Sequence, residues 1–89
     1  MEGLTEGRIV HFVMPDGAHR PAIVVRVWRL YDGAEGDESK TVLPSNGCCN
    51  LTVFTDWLND GKSGPLQWET SVIYSEKQEN RTWHWIERA

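Results

Sequence analysis

Apolar and polar residues alternate along most of this chain with a period of two, the repeat of a half-buried β-strand. The longest apolar run, residues 20–30, is rich in Val and Ile, whose branched side chains fit a pleated sheet better than a helix. We expect this run to be the central strand of a small sheet. The alternation predicts strands at residues 7–14, 20–30, 48–55, 66–74 and 82–86, and no amphipathic helix of useful length.

Turn signals separate these segments. Pro15-Asp16-Gly17 lies between the first two, where Pro presets φ and Asp-Gly tolerates the positive φ of a tight hairpin. The first two strands are therefore predicted to pair as an antiparallel hairpin. Residues 56–61 are predicted to form either one helical turn closed by Gly61 or a wide turn. Residues 31–47, rich in acidic side chains and glycine, are predicted to be a long solvated loop that is either functional or disordered.

Both faces of the predicted hairpin carry apolar residues. On the second strand we expect one face to hold Ile23, Val25 and Val27, and the other to hold Val24, Arg26 and Trp28. A single small core does not obviously cover the second of these faces together with its neighbours Val10, Phe12 and Met14. Because an exposed apolar patch usually marks an interface, the pattern predicts self-association, most simply as an isologous dimer. The alternative is that the long loop or the C-terminal segment folds over this face.

Short strands with turns between them predict an all-β fold, an SH3-like or similar small five-stranded barrel with one long acidic loop. The chain of 89 residues is long enough for one domain, spanning residues 1–89, and residues 1–6 are expected to be a flexible terminus.

Composition and charge narrow the classes of function. The net charge of −4 argues against a non-specific nucleic-acid binder, which normally presents a basic face. The longest apolar run is too short to cross a bilayer, which needs about 20 apolar residues. The adjacent Cys48 and Cys49 are poorly placed for a structural disulfide. Free thiols and the lack of an export signal at the start of the sequence predict a cytoplasmic protein.

The spacing of cysteine and histidine residues along the sequence gives little support for a metal site or a catalytic site. No Cys-x-x-Cys pair and no helical His-x-x-x-His pair is present, so neither a metal site nor a cofactor is predicted. Cys48 or Cys49 could pair with His84 as a nucleophile, but no local motif supports this. We therefore expect a protein that is not an enzyme.

Aromatic and basic residues form the remaining constellation, and five tryptophans in so short a chain are unusual. Guanidinium groups bind phosphate in a bidentate manner and indole faces stack on bases, so these side chains could hold a nucleotide. The predicted ligand-binding residues are Arg20, Arg26, Trp28, Trp83, His84 and Trp85. Alternatively, the tryptophans form the core and Arg26 lies over an indole in a cation–π contact.

Several segments resemble small uncharacterised proteins encoded by tailed phages and prophages. The resemblance begins with Gly7-Arg-Ile-Val-His-Phe-Val-Met-Pro-Asp-Gly17 and continues through His19-Arg-Pro-Ala-Ile-Val-Val25. It extends over most of the chain except residues 31–47, with later matches at residues 50–56, 59–61, 68–74 and 82–85. It implies a phage origin more than an activity, and no catalytic residue is carried over from it.

Small acidic phage proteins often act by stoichiometric binding, an analogy that gives three candidate functions. The first, which we favour, is sequestration of a nucleotide signal of host immunity, such as a cyclic nucleotide, in the bacterial cytoplasm. The second is docking onto a host or phage protein through an apolar, Trp-rich face. The third is a minor structural role in the virion.

Overall fold

The computed structural model describes residues 1–28, 31–32, 41–42 and 47–87, and in this part of the chain the regular structure is β-strand apart from one short 3₁₀ turn. The all-β prediction is thereby confirmed. The strands are β1 (Ile9–Val13), β2 (His19–Val27), β3 (Tyr31–Asp32), β4 (Thr41–Val42), β5 (Cys49–Phe54), β6 (Leu66–Val72) and β7 (Trp83–His84).

Five of these strands form one antiparallel sheet in the order β6-β5-β2-β1-β7. The central strand is β2, as the apolar run predicted. The hairpin of β1 and β2 turns at Pro15-Asp16-Gly17, where Gly17 has a φ of +90° and Asp16 Oδ1 accepts a 3.0 Å hydrogen bond from the Ala18 amide. A side chain at Gly17 would be strained at that φ, which explains why glycine stands there.

The connection between β5 and β6 contains the 3₁₀ turn, Trp57–Asp60, and Gly61 ends it with a left-handed φ of +69°. Of the two alternatives predicted for residues 56–61, the helical turn is the one observed, and Gly61 ends it as predicted.

The two edges of the sheet meet at one point. The Trp83 amide in β7 donates to the Ile73 carbonyl, and the Ser75 amide donates to the Trp83 carbonyl, both over 3.0 Å. This single parallel bridge joins β7 to the segment that follows β6. Full closure into an SH3-like barrel stays a prediction.

The core lies on one side of the sheet, and two irregularities decide which residues enter it. Val25 is an extra residue of β2 relative to β5, because Val24 pairs with Leu51 and Arg26 pairs with Asn50. The bulge therefore turns Val27 to the same side as Val24, and both are buried. The prediction that Val25 and Val27 share a face opposite Val24 is wrong for this reason.

The face predicted to be an exposed apolar patch is in fact the core. Val10, Phe12, Met14 and Val24 are at most 2% exposed and pack together. Of the apolar residues assigned to that patch, only Trp28 is exposed, with 42% of its surface accessible to solvent. The apolar surplus that the sequence indicated lies on the opposite face, described below.

The first residues of the chain, for which a flexible terminus is predicted, contact the sheet in the structure. Leu4 is 5% exposed and belongs to the core, and Glu6 Oε2 accepts a 2.9 Å hydrogen bond from the Val27 amide. Within the predicted loop 31–47, β3 and β4 pair as a short antiparallel ladder, whereas residues 33–40 and 43–46 lie outside the described residues. No helix in the described ranges is long and apolar enough to cross a membrane.

Candidate functional site

The six residues predicted to bind a ligand lie in separate places in the structure. Arg26 and Trp28 stay together at one end of β2, where the guanidinium carbon is 4.9 Å from the centre of the indole ring. This is the cation–π contact that the sequence left as an alternative. Trp28 is anchored by its Nε1, which donates a 3.0 Å hydrogen bond to Asn50 Oδ1.

Arg20 lies at the other end of β2 and has a structural partner. Its Nε and Nη2 atoms donate to the two carboxylate oxygens of Asp60 over 2.8 and 2.5 Å. This bidentate pair, with a further hydrogen bond from the Asp56 amide, lowers the pKa of Asp60 to about 2. Arg20 ties the 3₁₀ turn to the sheet and does not lie beside Arg26.

Trp83 fills the core. It has no exposed surface, and its Nε1 donates a 2.6 Å hydrogen bond to the Gly47 carbonyl. Trp85 is half-buried and packs edge-on against Trp83 with ring centres 4.9 Å apart. The Arg8 guanidinium lies 5.3 Å from the Trp85 ring. This second Arg–Trp pair borders an open depression of about 580 Å³ lined by Gly7, Arg8, Ile9, Trp85 and Ile86.

His84 belongs to a cluster that the sequence did not predict, formed with His11, His19 and Glu87. His11 in β1 pairs directly with His84 in β7. His19 in β2 pairs with Val13, two residues along the same face of β1 from His11. The centres of the three imidazole rings are 4.8 to 6.3 Å apart. One ligand atom from each of the four residues lies within 4.8 Å of each of the others.

Glu87 completes the cluster from the segment after β7. Its Oε1 lies 2.6 Å from His84 Nε2 and 3.9 Å from His19 Nδ1. Gln78 Nε2 donates a 2.8 Å hydrogen bond to the same oxygen and so holds the carboxylate in place. Burial lowers the pKa of His84, which is 3% exposed, and the Glu87 carboxylate opposes that shift.

Three buried nitrogens of the cluster have no hydrogen-bond partner among the described residues: His11 Nδ1, His84 Nδ1 and His84 Nε2. His84 Nε2 nevertheless lies within ion-pair distance of Glu87 Oε1, so the two Nδ1 atoms are the nitrogens left without any polar contact in the described part of the chain. An unpaired buried polar atom costs about 1–3 kcal/mol, so such atoms call for an explanation.

The spacing of residues along the sequence does not reveal this cluster, because its histidines come from three strands and Glu87 follows the last of them. Because the sequence has no Cys-x-x-Cys pair and no helical His-x-x-x-His pair, its spacing predicts no metal site. Strand register would reveal the cluster, because pairing the first strand with the last places His11 opposite His84.

The side of the sheet away from the core presents a largely apolar, uncharged surface, which we name the outer face. Cross-strand pairing lines up one row over four strands, because Ile9 pairs with Ile23, Ile23 with Thr52, and Thr52 with Trp68. Phe54 and Leu66 pair beside that row. Directly paired residues point to the same side of a sheet. Exposed fractions are 52% for Ile9, 53% for Trp68, 40% for Phe54 and 58% for Leu66.

The cysteines do not form a nucleophilic site. Cys49 is fully buried, and burial together with the neighbouring Cys48 raises its pKa to about 12. Burial also raises the pKa of Cys48. Both thiols are therefore protonated at neutral pH and are weak nucleophiles.

Comparisons with protein-family models, with curated proteins and with solved structures find no match to this chain.

Proposed function

We propose that this protein is a non-enzymatic binding protein whose outer face docks onto a second copy of the same chain. The observation that carries the proposal is the uncharged row of paired residues from Ile9 to Trp68, which is exposed at both ends and partly exposed at Ile23 and Thr52, with the exposed Phe54 and Leu66 beside it. Contiguous exposed apolar surface of this kind marks interaction sites in soluble proteins.

The charge of the outer face favours a second copy as the occupant. The six residues that define it, Ile9, Ile23, Thr52, Phe54, Leu66 and Trp68, carry no charge, although the chain as a whole has a net charge of −4. Two such faces can meet about a two-fold axis without bringing like charges together at their centre. Two sheets packed in this way lie about 10 Å apart.

Trp68 is the expected anchor of this contact. It lies in the row of paired residues with half of its surface exposed, and large aromatic side chains near the centre of an interface carry much of the binding energy. A standard interface buries about 800 Å² on each partner, so residues around the six must supply a polar rim.

The test is the oligomeric state of Trp68→Glu, measured by sedimentation velocity up to about 1 mM protein. We expect the wild-type chain to dimerise and Trp68→Glu to be monomeric. The matched control is Leu58→Glu, because Leu58 is 79% exposed in the 3₁₀ turn that Asp60 ties to Arg20 on the other side of the sheet. A wild-type chain that stays monomeric, or a Trp68→Glu variant that dimerises normally, would overturn the proposal.

A second candidate is nucleotide sequestration, which the two Arg–Trp pairs favour. Arg26 over Trp28 and Arg8 over Trp85 each offer a guanidinium beside an aromatic ring at the surface. These groups suit a phosphate and a base. A phage protein in a bacterial cytoplasm would use such a site to capture a host signal.

This candidate is tested by the melting temperature in the presence of cyclic dinucleotides, cyclic trinucleotides and ADP-ribose derivatives. A ligand present at 100 times its dissociation constant should raise the melting temperature by about 10 °C or more in a domain of this size. Arg26→Ala and Arg8→Ala then show which pair holds the ligand. Intact nucleotide recovered after heating indicates sequestration, and altered nucleotide indicates catalysis. No shift with any nucleotide removes the candidate.

A further inference from the structure

We propose that His11, His19, His84 and Glu87 bind one divalent transition-metal ion, with zinc as the best fit. The proposal does not depend on the outer face or on the Arg–Trp pairs. It uses four side chains to which the sequence pattern gave no common role.

The separation of the ligand atoms is the first argument. Zinc bonds to nitrogen and oxygen ligands are about 2.0–2.2 Å long, so ligand atoms around a tetrahedral ion lie about 3.4 Å apart. In the structure the four candidate atoms already lie within 4.8 Å of one another. Small rotations of side chains on fixed strands bring them to the required distance.

The buried nitrogens without partners are the second argument. His84 is 3% exposed, and its Nδ1 and the Nδ1 of His11 are buried without a hydrogen-bond partner among the described residues. An ion bound by the cluster would give a partner to a buried imidazole nitrogen that lacks one. For His84 Nε2 and Glu87 Oε1 to bind the same ion, their 2.6 Å contact would lengthen to about 3.4 Å.

The framework is the third argument. His11, His19 and His84 stand on three neighbouring strands, β1, β2 and β7, whose backbone pairing fixes their spacing. Gln78 orients the Glu87 carboxylate by a 2.8 Å hydrogen bond, as groups around a metal ligand commonly do. An ion here would tie the two-residue strand β7 and the segment after it to the β1–β2 hairpin.

The types of ligand atom in the cluster indicate which metal ion it would bind. Three imidazoles and one carboxylate suit zinc, copper or nickel, whereas calcium and magnesium prefer oxygen ligands alone. Four protein ligands fill a tetrahedral shell and leave no open position, which is the arrangement of structural zinc sites. We therefore expect the ion to stabilise the fold.

The experiment uses the full chain, stripped with a chelator and then titrated with zinc chloride. We expect one zinc ion per chain by elemental analysis and a melting temperature raised by about 10 °C or more at zinc 100 times its dissociation constant. Magnesium chloride should give no shift. No stoichiometric zinc uptake by the wild-type chain would overturn the proposal.

Variants locate the site. His19→Gln and Glu87→Gln should each weaken zinc binding at least about tenfold, as loss of a ligand or its support does. Glu76→Gln is the matched control, since Glu76 is exposed and contacts the Tyr74 hydroxyl. Normal zinc affinity in both ligand variants would overturn the assignment.

Cobalt gives a readout in the wild-type chain that does not require any variant to fold. Cobalt bound by three imidazoles and a carboxylate should show visible bands of a four-coordinate ion and no thiolate charge-transfer band. A thiolate band would place the metal on Cys48 or Cys49 and would overturn the proposal.

Discussion

Replacing Asn50 by Leu should destabilise the fold by about 2 kcal/mol, although the two side chains are similar in size. Asn50 is the point at which both neighbouring strands bulge. Across from it β2 has the extra residue Val25, and β6 has an extra residue between Glu69 and Val72. Ser71, in the second bulge, has a φ of +54°.

The expected loss of stability follows from the two hydrogen bonds that the side-chain oxygen of Asn50 accepts. Asn50 Oδ1 accepts a 2.9 Å hydrogen bond from the Ser71 amide and a 3.0 Å hydrogen bond from Trp28 Nε1. Leu at this position removes the acceptor and leaves the partly buried Ser71 amide without it, at a cost of about 1–3 kcal/mol. The left-handed backbone at Ser71, itself unfavourable by about 1–2 kcal/mol, loses the contact that holds it.

The assay is urea denaturation, with thermal unfolding as a second measure. We expect the melting temperature of Asn50→Leu to fall by about 10 °C. Trp28→Phe is the matched control, because it removes the other donor while keeping an aromatic ring, and Trp28 is 42% exposed. Its cost should stay below about 1 kcal/mol, since Asn50 Oδ1 keeps the hydrogen bond from the Ser71 amide. Equal losses in the two variants, or an Asn50→Leu chain as stable as the wild type, would refute the role given to the Ser71 amide.

Two further predictions concern titration. Because the Arg20 contact lowers the pKa of Asp60 from 3.8 to about 2, the ionised carboxylate stabilises the folded state above pH 3.8, and this contribution is lost as the pH falls toward 2. Asp60→Asn should therefore be less stable than the wild type at pH 6, with the difference in urea midpoint shrinking between pH 4 and pH 2; a constant difference would contradict this. Since the pKa of Cys49 is raised to about 12 and Cys49 is fully buried, iodoacetamide at about pH 8 should leave it unmodified in the native chain, and mass spectrometry should find Cys49 alkylated only after unfolding. Rapid labelling of native Cys49 would contradict its burial.

The elements of this fold are readable from the sequence because they depend on local chemistry. Strand positions follow from alternation, and the turns follow from Pro15-Asp16-Gly17 and Gly61. The choice of residues that face the core depends on pairing between strands that are distant in the sequence. One extra residue, Val25, reverses the alternation of β2 at a point fixed by its pairing with β5. A sequence pattern read with a constant period therefore put Val25 and Val27 on one face, whereas Val25 is exposed and Val27 is buried.

The candidate sites depend on tertiary structure more than the strands and turns do. Arg20 and Asp60 are forty residues apart in the sequence, and their pairing could not be inferred from spacing. His11 and His84 meet only because the first strand pairs with the last. Tryptophan composition indicated an aromatic surface correctly, but it did not separate the buried Trp83 from the exposed Trp28.

The outer face and the histidine cluster are neighbours, which makes their separate tests informative together. Ile9 and His11 are two residues apart on the same side of β1, about 7 Å along the strand. Zinc bound by neutral histidines and Glu87 would change the local charge beside the apolar row from negative to positive. Trp68→Glu alters the apolar row without touching a ligand, and His19→Gln alters the ligand set without touching that row. If zinc shifts the dimerisation constant of the wild-type chain but not of His19→Gln, the ion and the second copy bind as a coupled system. If zinc binds without any effect on dimerisation, the two sites act independently on the same side of the sheet.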